Sequence, residues 1–402
     1  MRTVASSPKV SFWTIAFVLT LALWTSGAPS ILYPLYIDRW HLNPLTTTAI
    51  FATYIVALEV MLLLLGNISD YIGRRASVLI GLSLLIAGTL LFAVAPSVGW
   101  VFVGRFIQGF GVGFIVGAGG AALADYNPYR STLPGPLNTA TQAVGLTLAT
   151  MVGAFLVTYG PSPLHLAYWV LDALLVVALI LTTALPRQSA RSTPNLTGWR
   201  PPGFHTPRGN ARAYSVAASA LSSGLGIAAI YLALGSQISH DLIAGANLIV
   251  SAATLSLSFA LIAVGAWISI KVSPGRSIIA GAILGVVSVA ALTAASGTRS
   301  LAVFLAASGL AGVAVGLLIS GAIAVTIAAA SARHRAGLLS SSFLVAYLVQ
   351  AAVALGGGAI ATATGVGVAT DWVAAAVALI CVAAAVLAVA ARRSGRRGGE
   401  SE

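Results

Sequence analysis

An all-α membrane protein of twelve spanning helices, arranged as two six-helix lobes, is the fold class this sequence predicts. Three observations carry that expectation. Only 7% of the 402 residues are charged and 58% are hydrophobic, against roughly 25% charged in a soluble globular domain. Mostly apolar stretches of the length a bilayer-spanning helix needs, about 20 residues, recur twelve times between charged, proline-bearing or polar breaks. The longest break falls near mid-chain with six stretches on each side. Backbone N–H and C=O groups at membrane depth must be bonded within the protein, so these stretches are helices. Their Leu-, Ala- and Gly-rich runs lack the alternation of barrel strands.

In chain order the segments are 12–33, 45–66, 76–96, 99–122, 136–159, 165–185, 213–236, 246–270, 276–296, 300–328, 337–360 and 370–391. Segment 1 follows a basic N-terminus as a signal peptide would, but its apolar run continues through Ile31–Tyr36, too long for a leader's core, so an uncleaved helix is expected. Pro29 and Pro34 each remove a backbone donor and favour a kink in its outer half. In segment 4, Gly109, Gly113 and Gly117 recur every four residues, a spacing that lets helix backbones approach closely. The lobes are residues 1–185 and 213–391. Between them, 186–212 holds five prolines, five arginines and no acid, the composition of a linker, and 392–402 is a basic tail.

Charge sets orientation. Eighteen of the 21 Lys and Arg residues fall on the side that holds the N-terminus, Arg39 and Arg299 fall on the other, and Arg105 lies within a segment. The positive-inside rule places both termini in the cytoplasm of a cell membrane. Spread over loops in this way, the net charge of +12 anchors topology beside lipid headgroups and does not form a nucleic-acid surface. Cys381 is the single cysteine, and the five histidines are scattered, with no metal-ligand spacing. No metal, cofactor or enzymatic chemistry is expected, and the chain is read as a monomer whose partners are the bilayer and a small-molecule substrate.

Between segments 2 and 3 the sequence reads "GNISDYIGRR". Gly66 and Gly73 suit a tight reversal, Asp70 suits the positive end of a helix, and Arg74 and Arg75 suit acids or lipid phosphates. The stretch resembles the major facilitator superfamily, whose members carry G-x-L-S/A-D-x-x-G-R-R in this turn. The match covers Gly66, Ser69, Asp70, Gly73, Arg74 and Arg75, with Ile68 in the leucine position. Segment 4 resembles the family's R-x-x-Q-G pattern through Arg105, Gln108 and Gly109. The resemblance implies a secondary transporter that alternates access by rocking two lobes, driven by a proton gradient, with the turn latching the lobes. A drug- or metabolite-exporting bacterial member is the expected kind. The alternative for the turn is that it fixes topology alone. The equivalent turn after segment 8 places Ser269 where the acid belongs, and segment 5 lacks a tight drug-antiporter signature.

Ionisable groups inside a membrane cost about 2.5 to 3.5 kcal/mol or more and tend to be functional. Glu59, Arg105 and Asp172 qualify. At 1.5 Å per residue Arg105 and Asp172 lie roughly 9 and 10 Å below the outer edge, Glu59 roughly 20 Å. Glu59, too deep to pair easily with Arg105, is either a lone carboxyl that carries the proton or a permanently neutral, hydrogen-bonded group. Arg105 either serves proton relay or substrate contact, or forms a structural pair with Asp172. The resemblance implies that segments 1, 4, 7 and 10 line the cavity, which names Trp24, Tyr33, Arg105, Gln108, Ser222, Tyr231 and Ser320 as lining candidates. Aromatics and hydroxyls with few charges suit an apolar or weakly polar solute. The reading is proton-coupled export of a small organic solute; the alternatives are an uptake permease and, further off, a non-transporting scaffold or receptor.

Overall fold

The computed structural model describes residues 7–129, 134–186, 211–244, 248–329 and 332–398, and among them no strand occurs. Twelve helices are long and apolar enough to cross a membrane. They are α1 Pro8–Trp40, α2 Pro44–Leu65, α3 Arg74–Ala93, α4 Val98–Asp125, α5 Leu137–Tyr159, α6 Leu166–Thr183, α7 Ala211–Asp241, α8 Leu248–Ile270, α9 Pro274–Thr298, α10 Leu301–Ala329, α11 Leu338–Thr364 and α12 Val366–Arg393. The protein is a multi-pass membrane protein. Most of the linker expected at 186–212 lies outside the described residues.

Two compact units form: Met1–His41 with Ile50–Gly203, and Leu42–Ala49 with Phe204–Glu402. Thus the first turns of α2 group with the second unit. There Gln237 Nε2 donates to Thr47 Oγ1 at 2.7 Å and the Leu45 N–H donates to Thr362 Oγ1 at 3.0 Å.

Within the first unit, α4 packs against α2 and α3 by dispensing with side chains. A Cβ on Gly109 would lie 2.5 Å from the Tyr54 carbonyl oxygen and 2.7 Å from Ala57 Cβ, so only glycine permits that approach.

Helix α1 runs longer than expected and changes register instead of merely bending. Ala28–Leu32 is a 3₁₀ turn, after which the α-helix resumes at Tyr33. Pro34 then sits at the start of the resumed helix, where a missing N–H costs little. Pro29 has a further effect. In a 3₁₀ turn the donor for the Ser26 carbonyl is residue 29, which as proline has no N–H. Helix α7 likewise departs from regularity, with π-helical turns at Ile230–Leu234 and Ser239–Ala244, a feature common at functional sites.

Candidate functional site

Arg105 reaches the Ser26 carbonyl, to which Pro29 can give no 3₁₀ hydrogen bond. Its Nη1 donates to Ser26 O at 3.0 Å and to Gln108 Oε1 at 3.5 Å, while Nη2 donates to the Tyr33 hydroxyl at 3.2 Å. Gln108 Nε2 continues the chain to Thr89 Oγ1 at 3.1 Å. The guanidinium is 0% exposed and lies over the rings of Tyr54, at 5.4 Å, and Phe92, at 5.8 Å. Carbonyl, hydroxyl, amide and π faces therefore hold a buried cation with no carboxylate in contact among the described residues.

Of the two readings of Arg105, the structural pair with Asp172 does not form. The two depths match, but the guanidinium turns toward α1, α2 and α3. Helix α6 approaches that neighbourhood through Tyr168, whose ring packs 5.0 Å from Phe92 and whose hydroxyl shares a 2.7 Å hydrogen bond with Tyr36. Asp172 is one helical turn further along, 6% exposed, and neither of its carboxylate oxygens has a hydrogen-bond partner. Glu59 is also 6% exposed, and its Oε2 is without a partner. Three buried ionisable groups thus sit in the first unit, none joined to another.

The turn after α2 is built around Arg74. A one-turn helix, Ser69–Ile72, carries Asp70, and Gly73 follows at φ 88°, a conformation that side-chain-bearing residues rarely adopt. Arg74 Nη1 meets Asp70 Oδ1 at 2.7 Å and donates to Ser69 Oγ, while Nε reaches Asp125 Oδ2 at 3.4 Å. Arg75 donates through Nη2 to the Thr183 carbonyl at the end of α6. Gly66 is hemmed in by its own helix, since a Cβ there would lie 2.3 Å from the Leu62 carbonyl oxygen. The expectation that Asp70 serves a helix N-terminus is refined: its cation is Arg74, and a second acid, Asp125, completes the cluster.

The remaining candidates fall on two helix pairs. Trp24 is buried on α1, where Gly145 of α5 closes on the backbone beside Thr20 and Trp24. Ser222 and Tyr231 are buried on α7, Tyr231 within the first π turn, and Ser320 is half-buried on α10. These two helices meet where Gly224 faces Ile319. Sequence reasoning passed over Tyr36, Tyr168, Thr89 and Asp125, and the Gln237–Thr47 pair. Of these only Asp125 carried a local signal, an acid ending segment 4 on the same side as the turn.

The model describing the Major Facilitator Superfamily matches residues 15–215, half of the chain. The chain belongs to that superfamily. An uncharacterised transporter of Rickettsia bellii is 30% identical over 116 residues, 27% of this chain and 28% of that protein. A probable drug/proton antiporter of Saccharomyces cerevisiae is 26% identical over 151 residues, 37% of this chain and 28% of that protein. The chain therefore spans under a third of the length of these curated relatives. A bacterial homologue of the human lysosomal transporter Spinster shares the superfamily fold over 97% of this chain and 98% of its own, with a TM-score of 0.70 at 13% identity. The protein is a multi-pass membrane member of that superfamily.

Proposed function

We propose that this superfamily member exports a small, weakly polar organic solute in exchange for protons, by alternating access, as a monomer in a cell membrane with both termini cytoplasmic. The observation that carries the reading is Glu59: a carboxyl 6% exposed within α2, with an unpartnered oxygen and no cation in contact among the described residues. A buried acid without a fixed counter-charge can accept a proton at small electrostatic cost, the property that coupling demands. Arg105 supplies the fixed positive charge in the same unit, and its tie to Gln108, Tyr33 and α1 lets a change at α4 be felt at the outer half of α1. The drug/proton antiporter relative supports export. Uptake would use the same residues in the opposite direction.

The test has two stages. A thermal-shift screen of the purified protein against a solute library identifies ligands. Reconstituted vesicles loaded with pyranine then report whether a ligand gradient moves protons. Counter-movement of ligand and protons supports exchange, co-movement means symport, and ligand flux indifferent to pH contradicts coupling. No flux of any stabilising ligand favours the scaffold.

A further inference from the structure

A second feature lies in the other unit and involves none of the groups invoked for transport. A groove of about 640 Å³ runs between α9 and α12, walled by Ile279 and Ile283 on one side and by Val386, Val389 and Ala390 on the other, with Arg393 at its end. At membrane depth these walls offer hydrocarbon alone, whereas the guanidinium offers five donors. Arg392 is adjacent: its stem crosses the first turn of α9, where a Cβ on Gly275 would lie 3.1 Å from Arg392 Cδ. Arg276 is exposed in that same turn. At the end of α8, Lys271 Nζ sits 3.8 Å from the centroid of Trp267, an exposed indole of the kind found at headgroup level.

Lys271, Arg276, Arg392 and Arg393 therefore lie at one end of this unit. Its acids among the described residues, Asp241 at the end of α7 and Asp371 near the start of α12, belong to the opposite helix ends. None of the four cations joins an ion pair among the described residues.

We infer that the groove is a binding site for an anionic diacyl phospholipid, with an acyl chain against Ile279, Ile283, Val386 and Val389 and the phosphodiester against Arg392 and Arg393. The occupant follows from charge complementarity. An apolar groove alone accepts any lipid, but an uncompensated basic mouth between helices selects a headgroup of net negative charge. Arginine adds paired donors matched to two phosphate oxygens.

Native mass spectrometry of the full chain released from nanodiscs of phosphatidylglycerol and phosphatidylcholine in equal parts tests this. The wild type should retain phosphatidylglycerol in preference. Arg392→Gln with Arg393→Gln should cut that preference by roughly fivefold per arginine. Ala390→Trp, which fills the groove at unchanged charge, should also remove it. Equal retention of the two lipids by the wild type, or an undiminished preference in both variants, overturns the proposal. Millimolar inorganic phosphate should leave the bound lipid in place; displacement by phosphate alone would mean a free-anion site and would also overturn it.

Discussion

Arg105 Nη1 donates a 3.0 Å hydrogen bond to the Ser26 carbonyl, the acceptor that Pro29 leaves without its 3₁₀ donor. A proline in one helix thereby borders the seat of a charge in another, and the contact ties α4 to the C-terminal half of α1. Hydrogen bonds to charged groups contribute about 1.5 to 3 kcal/mol each, enough to govern which arrangement of α1 the guanidinium accepts.

Arg105→Lys keeps the charge but replaces a planar fork by a single ammonium, which cannot serve Ser26, Tyr33 and Gln108 together. Transport should fall about tenfold or more, the equivalent of one such hydrogen bond, with the protein still eluting as a folded species. Flux within twofold of wild type would show that the fork geometry is dispensable.

Asp70→Asn removes the 2.7 Å partner of Arg74 from a site where Asp70 is 58% exposed. An exposed pair contributes under about 1 kcal/mol, so the melting temperature in detergent should scarcely move while transport drops. A double-mutant cycle with Asp125→Asn, read on flux, should show coupling between the acids through their shared cation. Wild-type flux in Asp70→Asn would remove the turn from the transport cycle.

Two glycines of α4 should respond in opposite directions. Gly109→Ala places a methyl 2.5 Å from the Tyr54 carbonyl oxygen and should cost about 1 to 3 kcal/mol as overpacking. Gly120 has nothing within 4 Å of a built Cβ, so Gly120→Ala should stabilise the helix by about 0.5 to 1 kcal/mol. Thermal unfolding in detergent reads both, and equal shifts would mean that α4 packs differently.

Much of this architecture was legible because lipid imposes a simple grammar. Twelve apolar runs broken by charge became twelve helices, with ends displaced by up to seven residues where, as at Trp40, a polar-flanked turn stays helical. The turn motif was legible because its residues are neighbours in sequence. What escaped depends on azimuth and register. Depth along a helix is countable, so Arg105 and Asp172 matched on paper, yet the faces they present differ. Tyr36 and Tyr168 meet across 132 residues with no local sign. That Pro29 cannot serve the Ser26 carbonyl becomes visible only once the turn there is known to be 3₁₀ and not α.

The central claim is that the buried carboxyl of Glu59 carries the coupled proton, and replacing it by its neutral isostere addresses that claim most directly. Pyranine-loaded proteoliposomes holding Glu59→Gln, given a ligand gradient that drives proton movement in the wild type, should show ligand exchange without any change in internal pH. Proton movement equal to wild type in that variant would contradict the account.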